Sequence, residues 1–338
     1  MYRLKKIMKT HEMSSFLFLA ALIFVVGCVN PSFWQPASIL NCFNDSVVFT
    51  LLAVGSAFVI LTGEIDVSVG ATLGMSAAVG ATLLRDGSNW AVAILAALAI
   101  GAVIGFVNGF GVSVLQIPSL IFTLGVNGVV RGLIYVFTKG AWVENLPAGF
   151  TRMSNTLIAG QLTTFYAAAI LAVIAGHLIL TQTKKGKYFI AVGDNAAGAT
   201  LVGIPASQTK ITAYILSGVF AAAAGMIYTS RIGFITPTAG NSYEMKAIAA
   251  CVLGGVSLTG GQGSLIGASI GAVIMSSISR ILVFLGFSSD YDNTITGILL
   301  ITIVVLNTVT QNRAVLKNRH QILSARTVAG ADKKGGVQ

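Results

Sequence analysis

Few side chains in this sequence could do chemistry, and the chemistry they suggest is passage of a solute. Glu64 and Asp66 stand two residues apart between two long apolar runs, with Ser68 just beyond. Thr123, Asn127 and Arg131 recur every four residues, which puts them in one polar stripe on a helix face. His177 stands alone, without a carboxylate or metal-ligand partner at helical spacing, and reads as a packed or interfacial imidazole. Cys28, Cys42 and Cys251 make no metal or redox spacing and read as buried, inert thiols. There is no G-x-x-x-x-G-K-S/T phosphate loop and no H-E-x-x-H zinc pair. No catalytic residue and no metal ligand is assigned. Hydroxyls, amides and scarce charges set among apolar runs suit a conduit for a polar molecule.

The elements that position these groups are membrane spans. Of 338 residues, 55% are hydrophobic and only 9% charged. A soluble domain carries roughly 25% charged residues, so a soluble, disordered or collagen-like chain is excluded. Charge-free runs cover 13–44, 46–63, 67–84, 87–130, 153–183, 211–230, 247–279 and 293–312. A spanning helix needs about 20 mostly apolar residues. The run 87–130 therefore holds two spans, broken at Gln116-Ile117-Pro118, because proline disfavours helix in the residue before it. The expected fold is all-α and integral to the membrane. Its ten spans lie near 14–29, 46–63, 67–84, 90–114, 118–138, 160–182, 211–230, 247–259, 263–279 and 293–311. The eighth is short, and reads as a re-entrant segment or half a broken helix.

The net charge of +10 is unevenly placed. Arg3, Lys5, Lys6 and Lys9 lie at the N-terminus, and Lys184, Lys185, Lys187 and Lys210 in the segment 184–210. Arg313, Lys317, Arg319, Arg326, Lys333 and Lys334 lie in the tail. This distribution points to membrane topology, not nucleic acid. By the positive-inside rule all three segments are cytoplasmic. Six spans separate the first from the second and four the second from the third, both even numbers as required. The domains are then a cytoplasmic N-terminus 1–13, a membrane domain 14–311 and a cytoplasmic tail 312–338. Val25-Val26-Gly27-Cys28 also fits a lipoprotein-type signal cleavage site; the many later spans favour an uncleaved first span. Glu64 and Asp66 fall near the cytoplasmic side, either in a solvated turn or in a broken helix beside the path. Arg131 lies inside the fifth span and either snorkels or lines a polar cavity.

Glycine is abundant, with 38 residues. Thr62-Gly63, Gly70-Ala71 and Gly74 match Thr259-Gly260, Gly267-Ala268 and Gly271 at a constant offset of 197 residues. Each set contains a G-x-x-x-G, a spacing that lets membrane helices approach closely. The echo points to an internal repeat, and transporters place their path at such repeat interfaces.

The segment 184–210 carries the most specific signal. Asp194 or Asn195 can cap a short helix, Ala196 to Leu201 can form it, and Gly203 can stop it. The core Gly193-Asp194-Asn195-Ala196-Ala197-Gly198-Ala199, with Gly203-Ile204-Pro205, resembles the coupling loop of ABC importer permeases of the ribose/simple-sugar family. Three further stretches are similar to that family: Thr62 to Gly70, Ile117 to Gly125 and Glu244 to Gly255. The resemblance covers residues 15–310. It departs from the common pattern at Glu64, where Gly or Asn is more usual.

The resemblance implies an inner-membrane subunit of a Type II-like ABC importer with both termini cytoplasmic. Implied partners are a sister permease, ATP-binding subunits and a periplasmic substrate-binding protein. This chain would bind no cofactor, since ATP is handled by its partner. Gly193, Asp194, Asn195, Ala197, Gly203 and Ile204 would form the coupling segment. Asp66, Ser68, Thr123, Asn127 and Arg131 are candidates for the translocation path. The stretches Gly140 to Pro147, Gly193 to Asn195 and Ile232 to Ile235 place the chain with members that import autoinducer-2, a small furanosyl signal. Rhamnose, ribose or another sugar is the alternative cargo. A secondary transporter would need coupling acids within the spans, which offer none beyond Glu64 and Asp66. A membrane enzyme would need an acid–base or metal cluster.

Overall fold

The computed structural model describes residues 11–158, 160–288, 291–302 and 305. The basic N-terminal residues and the cytoplasmic tail lie outside the described residues. The chain divides into Met1–Thr296 and Gly297–Gln338; in the second unit, residues 297–302 are helical.

The elements in order are α1 (His11–Val29), a 3-10 turn (Pro31–Trp34), α2 (Pro36–Asp45), α3 (Val47–Leu61), α4 (Val69–Arg85), α5 (Trp90–Ser113) and α6 (Ser119–Thr138). Then come α7 (Ala148–Arg152), a second 3-10 turn (Met153–Asn155), a hairpin of β1 (Leu157–Ile158) and β2 (Leu162–Thr163), and α8 (Thr164–Gln182). Last are α9 (Lys184–Asp194), α10 (Ala196–Leu201), α11 (Ala206–Ile232), α12 (Tyr243–Leu253) and α13 (Leu265–Phe284). Among the described residues α5, α6, α8, α11 and α13 are long and apolar enough to cross a membrane. The pair α2 and α3, bent by 41°, qualifies together as a sixth span, and α1 and α4 are shorter apolar helices.

The core is built around α3. All 15 of its residues are buried, as expected for a helix that is apolar on every side. Helix α11 packs most extensively on α5 and also lies against α3 and α4. The α5–α11 seam is made of glycine. A Cβ on Gly101 would lie 2.2 Å from the Gly218 carbonyl oxygen, and one on Gly105 would lie 2.3 Å from that of Tyr214. Only small residues permit backbones this close. Toward the outside, Leu95, Val103, Leu120, Val136 and Leu171 on α5, α6 and α8 are exposed, the face expected to meet lipid.

Several boundaries differ from the sequence expectations. The segment 184–210 is mostly helical, as α9 and α10, and α11 starts at Ala206 instead of residue 211. Its lysines suggested a loop, but long cationic side chains are good helix formers. The span expected from residue 160 begins at Thr164, because an antiparallel hairpin pairing Leu157 with Thr163 precedes it. The short eighth span is half a helix. Helix α12 ends at Leu253, and Gly254 to Ser264 continue without regular structure. Eleven residues rise roughly 16 Å, about half of a bilayer core. Within the irregular stretch Gly254, Val256, Gly260 and Gly261 are buried, while Thr259 and Gln262 are exposed. Cys42 and Cys251 are buried as expected, whereas Cys28 is exposed.

Segments that the charge pattern assigned to one membrane face contact each other. On one face Asp45 pairs with both Arg231 and Arg280, and Val143 bridges to Ile235. On the other, Lys210 pairs with Glu64, and the Ser207 hydroxyl donates to the Ser113 carbonyl.

Candidate functional site

Helix α3 ends at Thr62-Gly63, where Gly63 takes φ +82°, and α4 does not begin until Val69. Of the five residues between, Glu64 donates its N–H to the Val59 carbonyl and Ser68 offers its carbonyl to the Thr72 N–H, and side chains serve Ile65 and Val67. Thr123 on α6 accepts from the Val67 N–H at 3.1 Å and donates to the Ser119 carbonyl at 2.8 Å. Ser119 Oγ accepts from the Ile65 N–H, and Tyr214 on α11 donates to the Ile65 carbonyl, both at 3.3 Å.

Asp66 is the hub of this break. It is 3% exposed, so the solvated-turn reading is corrected: the carboxylate faces inward between α5 and α11. Its Oδ1 accepts from the Ser68 N–H at 2.9 Å and the Ser68 hydroxyl at 2.7 Å. Its Oδ2 accepts from Ser217 at 3.0 Å. The Asn108 amide donates to Ser68 Oγ at 2.7 Å. Among the described ion pairs none includes Asp66. Hydrogen bonds alone hold the buried carboxylate, and Asn108 Oδ1 is left buried with no protein partner. Glu64 behaves differently and pairs with Lys210 Nζ at 2.5 Å.

Arg131 does not snorkel. Nη1 donates to the Ala239 carbonyl at 2.6 Å and Nη2 to that of Gly240 at 2.7 Å, with Glu244 Oε2 3.9 Å away. Gly70 makes room, because a Cβ there would come within 2.5 Å of the Gly240 oxygen. Among the described residues, Asn127 Oδ1, one turn before Arg131, is buried without a hydrogen-bond partner, and so is Glu244 Oε2. The stripe thus faces protein. Thr123 grips the 65–67 backbone and Arg131 grips the 239–240 backbone. Asn108, Tyr214, Ser217 and Glu244 belong to these networks and were not singled out from sequence. Asn108 carried the same signal as Asn127, an amide inside an apolar span.

The segment expected to couple to a partner has the expected local structure. Asn195 caps α10, its Oδ1 accepting from the Gly198 N–H at 2.8 Å, and Gly203 takes φ +82° beyond the helix end. Asp194, Asn195 and Ala197 are exposed, and Ile204 is half-buried. The apolar tip Leu201-Val202 is 89% and 76% exposed. Gly193, at the base, sits against the end of α3. Between α10 and the 112–118 turn lies a cavity of about 470 Å³ with the Glu64–Lys210 pair in its wall.

Gly267 to Gly271 spells G-x-S-x-G, yet it lies within α13, and Ser269 donates to the Ile266 carbonyl. A hydrolase nucleophile needs a sharp strand-to-helix turn. His177 is half-buried in α8, with Nδ1 buried and no protein partner. No group of three metal-ligating side chains forms among the described residues.

An apolar exterior, broken helices and polar groups turned inward together define a polytopic membrane permease. Residues 38–304 match the family described as the permease component of branched-chain amino acid transport systems, and the chain belongs to that family of permeases. It is 39% identical over 304 residues to a protein of Enterobacter sp. (strain 638) named autoinducer 2 import system permease protein LsrC, covering 90% of this chain and 88% of the relative. The like-named protein of Salmonella typhimurium is 38% identical, over 90% and 87%. That of Yersinia pseudotuberculosis is 36% identical over 347 residues, covering 98% and 99%. No solved structure matches the chain.

Proposed function

We propose that this chain is a membrane subunit of an ATP-driven importer for autoinducer-2 in a bacterial inner membrane. Near-full-length identity of 36–39% to permeases of that name carries this reading. The family description names a different cargo, so family membership alone does not choose the substrate. The partners would be a sister permease, a pair of ATP-binding subunits and a periplasmic binding protein. ATP would be bound and hydrolysed outside this chain. A topology of ten spans with both termini cytoplasmic is supported by the face-by-face contacts of the loops. An internal repeat is supported by Gly63 and Gly260, which share the 197-residue offset and take φ +82° and +83°.

In this reading α10, with Gly193, Asp194, Asn195, Ala197, Gly203 and Ile204, docks on the ATP-binding subunit. Asp66, Ser68 and Thr123 shape the path by fixing the α3–α4 break. Asn127 and Arg131 place polar groups where the broken segment 239–244 meets α4. The decisive test is uptake in cells lacking the gene, with and without its restoration. Autoinducer-2 uptake should be lost and restored while ribose and rhamnose uptake stay unchanged. Loss of a sugar instead would overturn the substrate. Replacing Asn195 and Ala197 together with Glu should abolish uptake while the protein still inserts. Normal uptake in that variant would remove α10 from the coupling role.

A further inference from the structure

We propose that a contact among three glycine-bearing backbone stretches is the joint that carries movement of α10 into the two broken-helix segments of the membrane domain. The inference rests on the coupling role of α10 and goes further by naming the residues through which the motion passes. Three stretches far apart in sequence meet at this place: the end of α3 at 61–63, the end of α9 at 193–194, and the turn 259–261. A Cβ on Gly193 would lie 1.9 Å from the Leu61 carbonyl oxygen and 2.5 Å from the Gly261 nitrogen. One on Gly260 would lie 2.7 Å from the Gly63 nitrogen and 3.0 Å from the Gly193 Cα. One on Gly261 would lie 2.8 Å from the Asp194 Cα. A hydrogen bond of 3.0 Å from the Gly261 N–H to the Leu61 carbonyl ties two of the stretches directly.

No flexible side chain intervenes at any of these contacts. Side chains can absorb a displacement by changing rotamer, whereas packed backbones transmit it, since close-packed interiors are barely compressible. One side of the joint leads through Glu64 and Ile65 to Asp66 and the start of α4. The other leads through residues 262–264 to α13. Asp194 is the residue before the Asn195 cap, so α10 cannot shift as a body without moving the joint. A push on α10 therefore reaches both breaks together.

The test uses the assembled transporter, with its ATP-binding subunits and binding protein, reconstituted in liposomes. Uptake of autoinducer-2 and ATP hydrolysis are measured side by side. In Gly193→Ala, uptake per ATP hydrolysed should fall about tenfold, a typical size for a coupling between sites. Gly125→Ala, on α6 with no atom within 4 Å of the added Cβ, should leave the ratio unchanged. A second variant guards against misfolding. In Gly63→Ala, at the same joint, the added Cβ meets only the Thr259 and Gly193 carbonyl oxygens, at 3.5 and 4.0 Å, both ordinary contacts. Its uptake per ATP hydrolysed should fall about threefold while the ATP-binding subunits stay attached. An unchanged ratio in that assembled variant would overturn the joint. Failure of the wild-type chain to bind ATP-binding subunits through α10 would instead overturn the coupling role, and the joint with it.

Discussion

The two turns at Thr62-Gly63 and Thr259-Gly260 bend the chain with nearly the same φ, yet they are held by opposite means. The first is fastened by side chains. Asp66 collects Ser68 and Ser217, Asn108 holds Ser68, Thr123 and Tyr214 satisfy the backbone, and Glu64 reaches Lys210. The second is fastened by backbone. At the position 197 residues after Asp66 stands Gly263, with φ +150°, two residues after the Gly260-Gly261 pair, and the Ser257 N–H donates to the Gln262 carbonyl. One turn is locked into the bundle through α5, α6 and α11. The other leans on the end of α9. The same bend is thus held by side-chain partners in one place and by backbone packing in the other.

The largest expected effect breaks the anchored turn. Asp66→Ala leaves the Ser68 N–H and the Ser68 and Ser217 hydroxyls without their acceptor. At about 1 kcal/mol or more for each buried orphan, the loss is roughly 3 kcal/mol. Thermal unfolding in nanodiscs should show a clear drop, uptake should vanish, and Asp66→Asn should recover part of both. The matching change Gly263→Ala strains a backbone region costing on the order of 1–3 kcal/mol. If Gly263→Ala destabilises more than Asp66→Ala, the turn held by side chains is not the more firmly fastened of the two.

Next in size is Arg131→Ala, which frees the Ala239 and Gly240 carbonyls and leaves Glu244 without its cation. Charged hydrogen bonds contribute about 1.5–3 kcal/mol, so uptake and assembly should both suffer. Lys139→Ala should do little, because Lys139 is exposed at the end of α6. Equal effects from the two would mean that the grip on 239–240 is incidental. The smallest effect is expected from Glu64→Gln. It removes one partly exposed ion pair of about 1 kcal/mol or less, and melting should become less sensitive to salt.

Local grammar was the most legible part of the sequence. The cap at Asn195, the six residues of α10 and the stop at Gly203 each depend on neighbours within one turn, and the structure reproduces them. The break at Gln116-Ile117-Pro118 also falls between α5 and α6 as expected. Helix rotation was not legible. Whether Asp66 meets water or Ser217 depends on how α11 faces it from 151 positions away, which no local rule specifies. Glu244 escaped notice because it precedes an apolar run and reads as a flanking charge, although it is 7% exposed. Helix α9 was missed because its lysines outweighed the buried Phe189 and Val192 that seat it.

Helix α3 has a consequence for how the protein meets its bilayer. Fifteen residues rise roughly 22 Å, less than the ~30 Å hydrocarbon thickness. Since the whole helix is enclosed by protein, that shortfall is never presented to lipid. Changes in membrane thickness are then expected to act on helices with exposed apolar faces, α1, α5, α6 and α8 among them. The core helix is insulated from acyl-chain length, and a cell can remodel its lipids without stretching the break at Asp66.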